Sequence, residues 1–329
     1  MEDLLQALRA TGEATRLRIV AVLARTELTV SELCQVLGQT QPRVSRHLKL
    51  LCDAGVLQRH AQGTRAYFRP ARTGLGRAVF DAIVPLIAND DPDLRRDMRR
   101  LGTIRDDRAA SASLYFAGIA ADWDRMRTLH VADETVEAAM LAAVGHLDIG
   151  DLLDVGTGTG RVLEVFAPRI QRGLGLDLSQ PMLDVARSRL DTPEFGHCAV
   201  RSGDIYRLNV DPGAFDVAVL HHVLHFLDDP SGAIAEVASA VGANGRLLIV
   251  DFAPHSHESM RDDYAHHWLG FDDDEIAEWC FAAGFVDVSV EHLRRSDGTG
   301  DELLTTTIWC ATQSADAPSL RNFDLKAAS

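Results

Sequence analysis

Apolar and polar positions in the first 55 residues recur with the period of short helices. The apolar residues at helical spacing near the N-terminus are Leu4, Leu5, Leu8, Leu17, Ile19, Val20 and Leu23. A helix over Thr29–Leu37 and the turn Gly38-Gln39-Thr40 lead into a second helix. In that helix Val44, Leu48 and Leu51 share one face, while polar residues occupy the other faces. The pattern predicts a helix–turn–helix.

Two short strands follow the helix–turn–helix, over Val56–His60 and Arg65–Phe68, with Gln62-Gly63 at the turn between them. This spacing predicts a β-hairpin. A hairpin in this position forms the wing of a winged helix–turn–helix. Residues 74–88 are apolar enough to form a helix that packs against a second copy of the chain.

Strand and helix signals alternate from residue 150 onward, which predicts a doubly wound α/β sheet. The predicted strands are 151–155, 173–177, 198–202, 215–221 and 246–252, with helices such as Gln180–Leu190 and Gly232–Val241 between them. The late segments GFVDVSV and LLTTTIWCAT predict an antiparallel hairpin at the end of the sheet.

A charge-dense segment separates the two patterns and predicts a connector. It spans residues 89–110 and can form a surface helix with Asp93/Arg96 and Asp97/Arg100 pairs. We therefore expect a mixed α/β chain of four parts. These are a winged helix–turn–helix over 1–88, a linker over 89–110, a Rossmann-like domain over 111–312 and a disordered tail over 313–329.

The net charge of -15 is unevenly divided along the chain. Residues 1–75 hold eleven Lys/Arg against six Asp/Glu, whereas the remainder holds 22 against 42. A basic first domain favours double-stranded DNA as partner, and an acidic second domain repels phosphate. The predicted DNA-contacting residues are Thr40, Gln41, Arg43, Ser45, Arg46, Lys49, Arg59 and Arg65.

Targeting signals and paired cysteines are not evident in the sequence. The first residues lack a basic segment followed by an apolar run, and no apolar stretch approaches a membrane span. The five cysteines are scattered without a CxxC motif, which fits reduced thiols. We expect a cytoplasmic protein with no membrane partner.

Residues 5–85 resemble the ArsR/SmtB family of winged-helix repressors. The resemblance lies in EATRLRIV, ELTVSELCQVLG, QPRVSRHLKLLCDAGVL and the hairpin ending AYFRP. It implies a homodimer that binds the two half-sites of a palindromic operator. Many members sense metals through two cysteines, but Thr29 and Ser31 replace both here, so that thiolate site is absent.

A glycine-rich loop and two acidic residues mark a candidate nucleoside-cofactor site. Asp154 ends the first strand of the sheet and leads into the GxGxG segment Gly156–Gly160. Asp177 ends the second strand, where a carboxylate can accept ribose hydroxyls, and Asp204 follows the third. The loop differs from the GxGxxG of nicotinamide binders, which makes a dehydrogenase the weaker reading.

Residues 112–311 resemble class I S-adenosylmethionine-dependent methyltransferases. The resemblance implies that S-adenosylmethionine or S-adenosylhomocysteine is the cofactor, with a small-molecule ligand. The residues it implies are Tyr115, Trp123, Asp154, Gly156, Thr157, Gly158, Gly160, Asp177, Leu178, Met182, Gly203, Asp204, Ile205 and His221. Tyr115 and Trp123 can pack on the sulfonium or the adenine, or serve as ordinary core aromatics.

Methyl transfer needs a general base only when the nucleophile must lose a proton. Candidate bases are His221, His222, His225, Asp251, His266 and His267, and His222, Asp251 and His266 are the preferred set. The histidines of LHHVLHFLDDP also suggest a metal. We expect none, because the sequence places no further ligand beside them.

Three functions fit these patterns. One is a transcription factor whose methyltransferase-like domain senses S-adenosylmethionine or S-adenosylhomocysteine. The second is an active small-molecule methyltransferase that regulates its own operon. The third is an enzyme that uses the winged helix only to dimerise, but the basic charge of residues 1–75 counts against it. The first is the preferred reading.

Overall fold

The computed structural model describes residues 1–62, 65–87, 90–119, 133–145, 147, 149–294 and 304–317. The chain divides into two compact units, Met1–Ser111 and Ala112–Ser329, which are described separately.

The first unit is helical with one small sheet. Its elements are α1 (Glu2–Thr11), α2 (Ala14–Leu23), β1 (Leu28–Thr29), α3 (Val30–Leu37), α4 (Gln41–Asp53), β2 (Leu57–Gln62), β3 (Arg65–Pro70), α5 (Gly74–Ile83) and the part of α6 (Pro92–Ile119) that precedes residue 112. The sheet has the order β1-β3-β2, and β2 and β3 form the expected antiparallel hairpin. A short 3-10 turn over Val84–Leu86 follows α5.

The helix–turn–helix is confirmed, and its local chemistry explains where α3 begins. The Thr29 hydroxyl accepts the backbone N–H of Glu32, and the Glu32 carboxylate accepts the backbone N–H of Thr29. This capping box satisfies two N–H groups that the helix itself leaves without partners. Val44 and Leu51 of α4 are fully buried. Thr40 precedes α4, but its side chain makes no capping hydrogen bond.

The expected connector is part of the first unit. Leu94 and Leu101 of α6 are buried, and Leu101 joins the apolar core of this unit. Asp93 pairs with Arg96 as expected, whereas Asp97 pairs with Arg18 of α2 instead of Arg100. The Arg100 guanidinium donates to the backbone carbonyl of Val36. The many charged residues of this segment therefore led to the prediction of a surface linker, although one face of the helix is buried.

The second unit contains a seven-stranded sheet. Its strands are β4 (Ile149–Val155), β5 (Ile170–Asp177), β6 (Cys198–Ser202), β7 (Phe215–His221), β8 (Val241–Phe252), β9 (Phe285–Leu293) and β10 (Thr306–Gln313). Its helices are α7 (Asp133–Ala143), α8 (Arg161–Phe166), α9 (Gln180–Leu190), α10 (Pro230–Ala240), α11 (Ser259–Tyr264) and α12 (Asp273–Ala282). The strand order is β6-β5-β4-β7-β8-β10-β9.

The sheet is parallel from β6 to β8, and β10 runs antiparallel to both of its neighbours. This arrangement confirms the doubly wound sheet with an antiparallel last hairpin. Successive residues enter different cores: Leu152 belongs to one apolar cluster and Leu153 to the other. Because both faces are covered, the central strands are nearly continuous apolar runs.

The start of β8 and the start of the expected tail are among the boundaries that differ from those predicted. Strand β8 begins at Val241, five residues before the expected start, because the glycines around Asn244 are included in the strand. Gln313, the first residue of the expected tail, ends β10, and its side chain donates to the carbonyl of Ala238. Residues 318–329 lie outside the described part. None of the described helices combines the length and apolar character needed to cross a bilayer.

Candidate DNA interface and cofactor site

The polar face of α4 is open to solvent. All six residues predicted on and just before this helix are exposed: Thr40, Gln41, Arg43, Ser45, Arg46 and Lys49. Lys49 pairs with Asp53 one turn later, at 3.0 Å between Nζ and Oδ2. In the described part of the chain, Arg43 and Arg46 form no ion pair with a carboxylate. Their charges are therefore available to an anionic partner.

The hairpin adds two more exposed cations. Arg59 lies on β2 and Arg65 begins β3, and both side chains are exposed. Tyr67 and Phe68 of β3 are buried instead, which anchors the hairpin to the unit. The structure therefore exposes every residue that the sequence predicted for DNA contact.

The glycine loop follows β4 at the point where the strand order reverses. Gly156, Gly158 and Gly160 all have positive φ, at 76°, 53° and 84°. A Cβ on Gly156 would approach a Val223 methyl to 2.3 Å, so this position has no room for a side chain. Buried Asp154 accepts a hydrogen bond from the Thr157 hydroxyl at 2.6 Å, which fixes the loop to the strand end.

Asp177 joins the end of β5 to this loop. Its carboxylate accepts the backbone N–H of Gly158 at 2.8 Å and that of Ser179 at 2.7 Å. Burial raises the pKa of Asp177, and these N–H groups act in the opposite direction. The hydroxyl of Ser179 is buried and has no hydrogen-bond partner among the described residues. A polar ligand at this strand end would therefore meet both groups.

The third strand contributes a turn to the same edge of the sheet. The backbone N–H of Gly203 donates to the carbonyl of Asp177, and the Asp204 carboxylate accepts the N–H of Tyr206 at 3.0 Å. Ile205 is buried within the apolar core. Gly203, Asp204 and Ile205 therefore follow β6 as one compact turn, next to the end of β5.

The remaining predicted cofactor residues fall into different environments. Leu178 is 67% exposed directly after Asp177, Met182 is buried, and His221 ends β7 with a half-buried side chain. Trp123 and the side chain of Tyr115 lie outside the described residues.

A histidine–aspartate cluster lies at the carboxyl ends of β7 and β8. It comprises half-buried His222 and buried His225, Asp251 and His266. The Nδ1 atom of His225 is 2.7 Å from Oδ1 of Asp251, and both side chains are almost fully buried. Burial lowers the pKa of His225 to about 3 and raises the pKa of Asp251 to about 6. At neutral pH a neutral imidazole therefore donates to a carboxylate.

The other two histidines lie against this pair. The ring of His266 stacks on that of His225 with centroids 3.9 Å apart. His222 has φ of 53°, its backbone N–H donates to the carbonyl of Val250, and its ring is 4.8 Å from that of Phe252. The three preferred base candidates are thus brought together, with His225 at their centre.

Two features of this cluster were not anticipated. We expected no metal because the histidines lacked a further ligand, but Asp251 places a ligand atom within 4.8 Å of His222 and His225. That reason no longer holds. The predicted set of candidate bases also did not include His255, whose ring centroid is 6.1 Å from that of Phe252. The sequence could have indicated His255 as a candidate, because this residue follows shortly after the end of β8.

The comparisons with known proteins agree with both units. Residues 13–59 match the family model for bacterial regulatory proteins of the arsR family, and residues 153–249 match that for a methyltransferase domain. The chain therefore joins an ArsR-family helix–turn–helix to a methyltransferase domain.

The relatives are similar to one part of the chain each. The arsenical resistance operon repressor of Escherichia coli (strain K12) is 41% identical over 66 residues, which are 20% of this chain and 56% of the repressor. The uncharacterized methyltransferase YcgJ of Bacillus subtilis (strain 168) is 28% identical over 117 residues, 35% of this chain and 46% of that protein. The chain thus spans about half the length of these curated relatives.

A solved structure is also similar to part of the chain. The crystal structure of YcgJ from Bacillus subtilis has a TM-score of 0.49 and 18% sequence identity. The match covers 55% of this chain and 99% of that one.

Proposed function

We propose that this protein is a DNA-binding transcriptional regulator whose methyltransferase domain binds S-adenosylmethionine or S-adenosylhomocysteine and thereby controls DNA affinity. The observation that carries the proposal is the exposure of Arg43 and Arg46 on α4, which have no carboxylate partner among the described residues. The same chain has a glycine loop that is hydrogen-bonded to Asp177. The basic helix reads DNA, and the loop receives the ligand.

The DNA-binding part rests on charge and shape. Side chains of the arginine, glutamine and serine types on the second helix of a helix–turn–helix suit base edges in the major groove. Arg59 and Arg65 on the hairpin suit phosphate contacts beside that groove. The ArsR-family match over residues 13–59 supports the same role.

The cofactor part rests on how well the residues fit an adenosyl amino acid. The Asp177 carboxylate suits the ribose hydroxyls, the turn at Asp204 and Ile205 suits the adenine, and the glycine loop lets the backbone approach the ligand. The buried Ser179 hydroxyl offers a further hydrogen bond. When bound, S-adenosylmethionine supplies an electrophilic methyl group, whereas S-adenosylhomocysteine has none to transfer.

A homodimer on a palindromic site is part of the proposal. Leu5 and Leu8 of α1 and Leu75 of α5 are exposed, and these two helices contact each other. An apolar surface of this kind suits a second copy of the chain. Two recognition helices related by a two-fold axis would then reach two half-sites one helical turn apart.

Regulation requires that the ligand bind the DNA-competent and incompetent states with different affinity. The test of ligand binding is isothermal titration calorimetry of the full chain with each of the two ligands. We expect saturable binding with one site per chain. Failure of both ligands to bind would overturn the proposal.

A second candidate is an active small-molecule methyltransferase, and the His225–Asp251 pair is the observation that favours it. Asp251 orients His225 so that its other ring nitrogen can accept a proton from a methyl acceptor. The test is conversion of S-adenosylmethionine to S-adenosylhomocysteine in the presence of a low-molecular-weight cell extract. Turnover that H225N abolishes without loss of cofactor binding would support this candidate.

A further inference from the structure

We propose that His222, His225 and Asp251 form a binding site for a divalent transition-metal ion. One nitrogen of each histidine and one carboxylate oxygen of Asp251 lie within 4.8 Å of one another. None of these three residues belongs to the glycine loop or to α4. The proposal does not depend on DNA or cofactor binding, since it concerns the metal alone.

The donor set determines the class of ion. Two imidazoles and one carboxylate suit Zn²⁺, Co²⁺ and Fe²⁺, whereas Mg²⁺ and Ca²⁺ prefer oxygen ligands. The set contains no thiolate, which disfavours Cu⁺. Three protein ligands leave one position of a tetrahedral ion open to water or another small ligand.

The negative charge of the buried Asp251 carboxylate also favours a bound cation. Asp251 is fully buried, and within the described part its ion pair is with His225, with no Lys or Arg paired to it. A buried carboxylate is costly unless it is neutralised or coordinates a metal. Asp251 also accepts the backbone N–H groups of His225 and Phe252, which carry partial charges and not the full positive charge that a metal ion would supply.

Binding of a tetrahedral ion requires the shortest ligand–ligand distance, 2.7 Å, to lengthen and any distance near the upper limit of 4.8 Å to shorten. Ligand atoms around a tetrahedral ion bonded at about 2.1 Å are about 3.4 Å apart. The 2.7 Å contact between His225 and Asp251 is shorter and holds a proton. An entering ion displaces that proton to solvent and separates the two atoms by less than about 1 Å.

The backbone of His222 gives a second, independent observation. This residue is held in the left-handed region at φ 53°, with its N–H bonded to the carbonyl of Val250. Such conformations cost free energy in residues other than glycine and concentrate at functional sites. A residue constrained in this way beside two other ligand types is consistent with a prearranged site.

The experiment titrates Co²⁺ into full-length protein that has been treated with a chelator and dialysed. We expect one Co²⁺ per chain, visible d–d absorption, and displacement of that signal by Zn²⁺. H222N removes an imidazole and tolerates the left-handed backbone, and D251N removes the carboxylate. Each should weaken Co²⁺ binding at least about 100-fold.

The matched control is H292Q. His292 also contacts an aspartate, Asp273, at 3.0 Å, but that pair is exposed. H292Q should bind Co²⁺ as the wild type does. Absence of the absorption, wild-type affinity in H222N, or an equal loss in H292Q would each overturn the proposal. Circular dichroism checks folding, and if D251N does not fold, the half-buried H222N decides the result.

Discussion

Arg18 and Asp97 form a bidentate ion pair between α2 and α6, 79 positions apart in the sequence. Nε and Nη2 of Arg18 each donate to a different carboxylate oxygen, at 2.6 Å in both cases. Asp97 is fully buried, and Arg18 also donates to the carbonyl of Leu37. The pair therefore ties α6 to the helix–turn–helix.

Replacing Asp97 with Asn should destabilise the first unit by about 3 kcal/mol, because it leaves Arg18 without its buried partner. D93N is the matched control, since Asp93 is exposed and its pair with Arg96 contributes little. Hydrogen exchange of peptides from α2 and α6 measures the loss. All four tryptophans lie beyond residue 111, so their fluorescence reports on the second unit and should not change. Unaltered exchange in D97N would contradict this role.

Replacing Asp177 with Asn should weaken binding of S-adenosylmethionine and S-adenosylhomocysteine by about 10- to 100-fold, because charge-assisted hydrogen bonds to the ribose are lost. Calorimetry measures the change. The control is D184N, which alters an exposed carboxylate on α9 that pairs with Arg187. DNA binding should remain measurable in both variants. Normal cofactor affinity in D177N would show that the pocket is assigned wrongly.

Cofactor affinity should fall as the pH is lowered from neutral. Burial raises the pKa of Asp177 above its ordinary value of 3.8, so the accepting carboxylate is present at neutral pH and is lost as the pH decreases through the raised pKa. Calorimetry at a series of decreasing pH values, down to the lowest at which the protein stays folded, follows this loss. D177N should bind weakly with no such dependence. If the affinity of the wild type depended on pH as little as that of D177N, the Asp177 carboxylate would not be the hydrogen-bond acceptor for the cofactor.

Arg43→Ala and Arg46→Ala should each weaken DNA binding by about 10-fold. If the lost contact is to a phosphate, the slope of log affinity against log salt should decrease by about 1. Fluorescence anisotropy at several salt concentrations measures both quantities. R99A removes an exposed arginine of α6 from the same unit and serves as the control. Unchanged affinity in both α4 variants would move the DNA interface elsewhere.

The features predictable from sequence are those fixed by local periodicity. Val44, Leu48 and Leu51 define the buried face of α4 through their spacing alone. Asp154 and Asp177 could be placed because strand ends in a parallel sheet meet at one edge. The residues that share the buried face of α4 are one helical turn apart, and the two aspartates lie at adjacent strand ends because of the sheet topology.

Contacts between distant segments could not be predicted in this way. Arg100 lies at the helical spacing for an ion pair with Asp97, but in the folded protein Asp97 pairs with Arg18 of α2. Asp251 and His225 are 26 residues apart, and only the pairing of β7 with β8 brings their strand ends together. Spacing along the chain does not reveal which ends become neighbours, so the metal candidate was missed.

The most direct test of the proposed function is fluorescence anisotropy of the full chain on the DNA upstream of its own gene. The DNA is titrated at fixed salt without ligand, with S-adenosylmethionine and with S-adenosylhomocysteine. The proposed function predicts that one ligand changes DNA affinity and that D177N removes this response. Tight DNA binding that is indifferent to both ligands would contradict it.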